Sequence, residues 1–250
     1  VHLKVETAGA VATLTIDRPD KRNAMSFDMW SAIPDLLGSL DDAVRVLLIQ
    51  GGEHFSAGAD ISEFETLRAT AEDAARYGAA VHAAERAIAE FPKPTIAVIN
   101  GFCVGGGCEI ALACDLRIAA DNARFAIPPA KLGIVYLFTS TKQLVDAVGK
   151  AWAKQILFTG DIIDATTALR IGLVNELHPA SELDARAKEL ADTIAGRAQV
   201  SVRGAKTIIN RIAEGEHEDD SVQALYDDAL HSAEYAEGVR AFLEKRTPRF

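Results

Sequence analysis

The run Thr95-Ile96-Ala97-Val98-Ile99-Asn100-Gly101-Phe102-Cys103-Val104-Gly105-Gly106-Gly107-Cys108-Glu109 constrains this chain more than any other stretch. An apolar strand ends there in three consecutive glycines, which open a helix carrying a carboxylate. Glycine is costly in ordered backbone, so three in a row at a helix start imply that something approaches the main chain closely. The helix is predicted from Glu109 through Cys114, because no Gly or Pro interrupts Ile110, Ala111, Leu112 and Ala113. Unpaired N–H groups at such a start, with the helix dipole behind them, stabilise negative charge that develops during a reaction. The glycines do not have the G-x-G-x-x-G spacing of a dinucleotide site, and no Gly-Lys-Ser/Thr follows them.

A second segment has the same design. In Val46-Leu47-Leu48-Ile49-Gln50-Gly51-Gly52-Glu53-His54-Phe55-Ser56-Ala57-Gly58-Ala59-Asp60-Ile61, an apolar strand again leads into a turn of small residues. Two such turns can bring two backbone N–H groups to one point, which is how an oxyanion hole is built.

These two turns, with Lys93-Pro94 ahead of the strand between them, resemble the enoyl-CoA hydratase/isomerase family, the crotonase superfamily. The resemblance runs from Ile16-Asp17-Arg18-Pro19 and Asn23-Ala24-Met25 to Phe242-Leu243-Glu244-Lys245-Arg246, nearly the whole chain. It implies an α/β fold, a crotonase-like spiral of ββα turns with a C-terminal helical trimerisation region. On that reading residues 1–195 form the spiral core with the active site, and residues 196–250 the helical region for oligomerisation and CoA closure. By the same resemblance the two oxyanion-hole N–H groups fall on Ala59 and Gly106, and the first catalytic glutamate on Glu109. CoA is implied as part of the substrate, with no separate cofactor and no metal. Its adenine and phosphates are expected near Arg18 and Lys21 or Arg22, and beside the backbone from Ala57 through Asp60 to Ile61. Phe242 and Lys245 of a neighbouring subunit's last helix are expected to close over the nucleotide, in a homotrimer or a dimer of trimers.

The chemistry expected follows from the thioester. Removing a proton beside its carbonyl, adding a nucleophile to a conjugated double bond, or expelling carbon dioxide all place negative charge on the thioester oxygen, and two backbone donors serve all three. The sequence departs from the family's hydratases in Phe125-Ala126-Ile127-Pro128-Pro129-Ala130-Lys131-Leu132-Gly133, where their second catalytic glutamate is replaced by Pro129. Bulky Leu137 and Phe138 follow, and are expected to narrow and dry the pocket, which disfavours a water nucleophile. The stretch from Pro129 to Tyr136 is similar instead to the methylmalonyl-CoA decarboxylase branch, in which a tyrosine at the place of Tyr136 holds the substrate carboxylate. That branch has a histidine where this chain has Ala59. Isomerisation or another one-base reaction at Glu109, hydration by an altered mechanism, and decarboxylation remain as alternatives. A catalytically silent acyl-CoA binder is the reading from a different class.

Composition fits one catalytic domain. The chain has 250 residues, 49% of them hydrophobic and 25% charged. A formal net charge of −10 argues against nucleic acid as a partner. Cys103, Cys108 and Cys114 cluster at the glycine turn rather than in a disulfide framework, so they are read as reduced and buried, and the compartment as cytoplasmic. No apolar run approaches the ~18 residues of a membrane span.

Period-2 alternation from Val11 to Ile16 predicts a half-buried strand after Leu3 to Glu6. Ser26 caps a helix running towards Asp41 despite Pro34. Further strands are predicted at 44–50, 95–100 and 116–119, and helices at 72–91, 142–148, 151–158, 180–196, 202–213 and 220–243. Alternating strands and helices give an α/β class.

Overall fold

The computed structural model describes residues 2–250. Among these residues nine strands form two sheets. β1 (Leu3–Ala8) and β2 (Val11–Ile16) make an antiparallel hairpin, and β3 (Val46–Gln50), β4 (Thr95–Ile99), β6 (Leu116–Ala120) and β9 (Glu176–His178) add to it in parallel, in the order β1-β2-β3-β4-β6-β9. The second sheet holds β5 (Phe102–Val104), β7 (Arg124–Ala126) and β8 (Ile163–Asp164). The helices are α1 (Phe27–Gly38), α2 (Phe64–Leu67), α3 (Ala71–Ala89), α4 (Gly106–Ala113), α5 (Pro129–Leu132), α6 (Phe138–Thr159), α7 (Ala165–Arg170), α8 (Leu183–Ala195), α9 (Gln199–Ala213), α10 (Asp220–Leu230) and α11 (Ala233–Leu243).

The alternation in β2 puts Ala12, Leu14 and Ile16 in the core, as period 2 requires. β3 and β4 are apolar on both faces because the sheet is covered on both. Val46, Leu48, Ile96, Val98 and Ile118 face Leu183, Ala187 and Ala191 of α8. The alternate residues Leu47, Ile49, Ala97 and Ile99 face the larger core, which holds Trp30 and Ile33 of α1, Val81 and Ile88 of α3, and Ile110 of α4.

The spiral lies in how the two sheets are linked. The chain leaves β3 and pairs at Ser56 with Cys103; it leaves β4 into β5 and then α4; it leaves β6 into β7 and then α5. Each turn therefore adds one strand to the large sheet and one short strand, or a single bridge, to the small one, followed by a helix. This is the expected spiral of ββα turns.

Several elements differ from their sequence reading. β5 and β7 are three-residue strands where the sequence predicted no element, and they exist because they pair with each other, Phe102 opposite Arg124 through Val104 opposite Ala126. The glycine-opened helix begins at Gly106, three residues before the start expected at Glu109. The two helices expected at 142–148 and 151–158 are the two arms of α6, separated at Gly149, whose φ is 75°, and the first arm starts earlier than expected, at Phe138. The helix expected over 220–243 is two: Ser232 stops it by accepting the Tyr235 N–H at 3.0 Å, capping α11. The C-terminal helices are tied to the sheet through Lys206 of α9, whose Nζ lies 2.8 Å from the Asp115 carboxylate, which also accepts the Thr95 N–H at 2.8 Å.

Candidate active site

The turn after β3 is held by hydrogen bonds at almost every amide. Phe55 N–H donates to Asn100 O (2.9 Å), Ser56 N–H to Phe102 O (2.9 Å), Ala57 N–H to Arg22 O (2.9 Å) and Asp60 N–H to Met25 O (2.8 Å). Gly58 N–H donates to the Ser56 hydroxyl at 3.1 Å, and that hydroxyl donates to Asn23 O at 2.8 Å. Asn23 is itself buried and donates to Gly51 O and His54 O while accepting the Arg18 N–H at 2.8 Å. In the run from Phe55 to Asp60, only the Ala59 N–H has no acceptor among the described residues.

The glycine turn leaves the Gly106, Gly107 and Cys108 N–H groups unpaired among the described residues where its helix starts. Val104 N–H donates to Ser56 O at 2.9 Å, Gly105 N–H to Ala126 O at 2.8 Å, and Glu109 N–H to Gly105 O at 3.1 Å, which starts α4. Gly106 N–H, at the first helical position, has no acceptor among the described residues. The Ala59 and Gly106 amides are neighbours. A Cβ at Gly58, where φ is +96°, would lie 3.3 Å from Gly106 N and only 2.7 Å from Val104 O; one at Gly106 would lie 3.3 Å from Ala59 N and 2.8 Å from Trp30 Cζ2. Glycine is required at both places because the turns touch backbone to backbone.

Glu109 projects from the first turn of α4, and it is 8% exposed. Burial pushes its pKa up to about 8, helped by the Glu85 carboxylate and opposed by Tyr136 and Arg68. Tyr136 is half-buried, but its hydroxyl is fully covered. That hydroxyl faces Glu109 too loosely for a formed hydrogen bond and is left without a partner. Its pKa is raised by burial and then by Glu109. Around these groups Trp30 Nε1, Arg68 Nε, Tyr77 OH and Glu85 Oε2 are also buried without a protein partner. The Arg68 guanidinium stacks 3.9 Å from the Phe64 ring centroid and 4.5 Å from that of Tyr77.

The structure thus gathers Ala59, Gly106, Glu109 and Tyr136 into one site. The segment holding Arg18, Lys21 and Arg22 packs on the Ala57–Ile61 turn: Arg18 lies 2.8 Å from Asp60, whose carboxyl is lowered in pKa by the Ser62 hydroxyl and by Arg18. Lys21, Arg22 and Ile61 are exposed beside it. Phe242 and Lys245 are exposed on and just after α11, which packs on α10. One sequence expectation changes. Phe138 does not narrow the pocket: it is 84% exposed at the outer start of α6, and Leu137 is 39% exposed, because the buried residue of that turn is Ser140. Pro129 keeps the place of the family's second glutamate, and a carboxylate at a different place lies in the core. Glu85 of α3 is fully buried, and burial pushes its pKa up to about 7 against a hydrogen bond from Ser140. Its signal was present in the spacing Tyr77, Val81, Glu85, Ile88, which places it on the buried face of α3.

All three cysteines are buried and free, with Cys103 and Cys108 sulfurs 3.8 Å apart. Among the described residues no group of three or more His, Cys, Asp or Glu is arranged to hold a metal, and no helix is long and apolar enough to cross a membrane.

Comparison with known proteins agrees with this architecture over the full chain. The model of the enoyl-CoA hydratase/isomerase family matches residues 6–250. A crotonyl-CoA hydratase of Syntrophomonas wolfei is 40% identical over 258 residues, covering 100% of this chain and 97% of the relative. A short-chain-enoyl-CoA hydratase of Clostridium acetobutylicum is 38% identical over 250 residues, covering 97% and 94%. Among solved structures, an enoyl-CoA hydratase/isomerase family protein from Hyphomonas neptunium superposes with a TM-score of 0.97 at 40% identity, covering 100% of this chain and 97% of that one. An enoyl-CoA hydratase from Bacillus anthracis gives 0.92 at 30% identity, covering 100% and 99%. With two apposed strand-to-helix turns, a buried glutamate beside them and matches of this extent, the chain is an enzyme of the enoyl-CoA hydratase/isomerase family, in the crotonase superfamily.

Proposed function

We propose that this enzyme acts on a short-chain enoyl-CoA, binding the thioester carbonyl between the Ala59 and Gly106 N–H groups and moving a proton with Glu109. The single observation that carries the reading is the adjacency of the unpaired Ala59 and Gly106 amides, the first the one exception in a bonded turn and the second the opening N–H of α4. In hydration, the oxygen of water bonds to the β-carbon and the π electrons shift toward the thioester oxygen as enolate. The α-carbon then takes a proton, so that one water is consumed and none of the catalyst is. The developing oxyanion is the charge that the two amides meet. Glu109 lies three residues along α4 from Gly106, one helical turn, which suits proton transfer at the adjacent carbons. With a pKa near 8 it is present in both protonation states around neutrality, as an acid/base group should be.

The names of the hydratase relatives favour hydration over the other one-base reactions. Pro129 argues for a route in which Glu109 both takes the proton of water and supplies the α-carbon. Decarboxylation has no support in those names, and rests on the Tyr136 segment alone. Arg18, Lys21, Arg22 and the Ala57, Asp60 and Ile61 backbone are the groups we assign to the CoA nucleotide, with Phe242 and Lys245 closing from a second copy in a trimer. Exposed Ile209, Ile212, Leu230 and Leu243 on α9 to α11 favour such an assembly.

Crotonyl-CoA with the purified protein tests the reaction directly. A mass gain of one water and loss of the conjugated-thioester absorbance are expected, and Glu109→Gln should lower kcat by about 10²–10⁴ with far less effect on binding. Unchanged turnover in Glu109→Gln would refute the assignment.

A further inference from the structure

One wall of the site is aromatic, yet it carries donors that the protein does not use. Phe27 and Trp30 lie one turn apart on α1, and the Phe27 ring packs 6.0 Å from that of Tyr77 on α3, which meets Phe64 of α2 edge-on at 5.7 Å. The half-buried Arg68 closes the wall, its guanidinium 3.9 Å from the Phe64 ring centroid and 4.5 Å from that of Tyr77. The wall begins at the oxyanion turn. Trp30 Cζ2 lies 2.8 Å from where a Cβ of Gly106 would stand, and Nε1 is on the same edge of the indole. Arg68 comes from the other donor, because the short turn Ile61–Glu63 and then α2 run directly on from Ala59 and Asp60. Trp30 and Tyr77 are fully buried, but Trp30 Nε1 and the Tyr77 hydroxyl have no partner among the described residues, nor has the buried Arg68 Nε. The Glu63 carboxylate does not serve Arg68, because it accepts the Phe27 N–H at 2.8 Å. Buried donors without acceptors cost stability, and a cation held over rings instead of an acid keeps its charge for a ligand.

We propose that Trp30, Tyr77 and Arg68 form a subsite for a carboxylate at the far end of the acyl chain, so that the preferred substrate is a short enoyl-CoA made from a dicarboxylic acid. The donor set decides the ligand chemistry. An indole N–H and a guanidinium can only donate, and a phenol can donate as well as accept. A group that satisfies all three must accept from each, and Arg68 favours one that is negative. A carboxylate has both properties, whereas a methyl end would leave the donors buried and unpaired. The charge of Arg68 acts on Tyr77 and on Glu109, in keeping with its place on this wall. With the thioester oxygen held at Ala59 and Gly106 and the far end held along the wall, the reacting carbons between them are fixed from both sides. The inference rests on the reading of those two amides as the thioester-oxygen site.

The test compares two thioesters that differ only at the acyl end: glutaconyl-CoA, with a terminal carboxylate, and trans-2-pentenoyl-CoA, with a methyl group in its place. The wild-type kcat/KM for hydration should favour glutaconyl-CoA by about 10-fold or more, as a charge-assisted hydrogen bond requires. Arg68→Met keeps an apolar stem against Phe64 and Tyr77 and removes the charge, and should bring the ratio of the two kcat/KM values to about one or below. Arg68→Lys keeps the charge without the fork and should fall in between. The ratio is the readout because an effect of Arg68 on Glu109 or on packing acts on both thioesters and cancels. Tyr77→Phe deletes one donor and should lower the ratio a few-fold. Calorimetry with the saturated glutaryl-CoA and pentanoyl-CoA reads the same preference without turnover, the first binding wild type more tightly by a similar factor. A wild-type ratio of one or below, or a ratio that Arg68→Met leaves unchanged, would overturn the subsite. Should Arg68→Met not fold, equal affinity of wild type for the two saturated thioesters decides against it. Failure of the reading beneath is distinct: glutaconyl-, pentenoyl- and crotonyl-CoA would all gain no water, and the calorimetric preference would still decide the subsite.

Discussion

The two halves of the site are built by opposite means. The half we assign to the thioester oxygen is backbone: the turn of Phe55 to Asp60, bonded at each amide except Ala59, and the start of α4, where the unpaired Gly106 N–H lies beside it. The half we assign to proton transfer is side chain: Glu109, in a setting where Glu85, Tyr136 and several other buried groups have polar atoms without a partner among the described residues. The first half is over-determined, since Asn23, Ser56 and the bridge to Cys103 hold it from three directions. A charge-binding site made this way needs no reorganisation when the oxyanion appears. The second half carries unmet hydrogen-bonding capacity and raised proton affinities, so single side-chain changes tune it without disturbing the first.

The most damaging way to break this contrast is to intrude on the backbone half. Gly106→Ala would place a Cβ 2.8 Å from Trp30 Cζ2 and 3.3 Å from Ala59 N, forcing the two turns apart. Displacing one donor from the oxyanion predicts a loss of about 10²–10³ in kcat. Steady-state kinetics of this variant, beside its circular dichroism, checks it; kcat within about twofold of wild type would show that the turns tolerate separation.

The side-chain half should be visible in stability against pH. Glu85 and Glu109 carry native pKa values of about 7 and about 8, against an ordinary 4.5. A raised native pKa means that the folded state binds more protons than the unfolded state between those values, so stability falls as pH rises through that window. Below about 4.5 both states are protonated and there is no cost; above about 8 the cost is complete. Thermal unfolding from about pH 5 to pH 9 should therefore show a decline that the double variant Glu85→Gln, Glu109→Gln largely abolishes, a difference on the order of a few kcal/mol. Equal slopes in the two proteins would mean that neither carboxyl titrates late.

The smallest expected effect is at Tyr136. Its hydroxyl opposes the rise in the Glu109 pKa, so Tyr136→Phe should move the Glu109 limb of the pH–rate profile upward and lower kcat a few-fold, about 1 kcal/mol. A large loss confined to malonyl-type thioesters would instead assign Tyr136 to a substrate carboxylate.

Much of this was legible in the chain itself. The alternation of β2, the cap at Ser26 and the glycines before Glu109 are local signals, set by residues within one turn or pleat of each other, and the structure keeps them. Other features were decided only by tertiary contacts. β5 and β7 are too short to show periodicity and exist as partners of each other; Phe138 turns outward because Ser140 takes the buried position against Glu85; the Ala59 and Gly106 amides become one site only when two distant turns pack. Glu85 is the clearest case. Its spacing placed it on a buried face, but the rise in its proton affinity depends on the core that the fold packs around it. Local propensity acts between chain neighbours, whereas the proton affinity of a carboxylate is set by whatever shares its low-dielectric surroundings, and only the folded chain determines that.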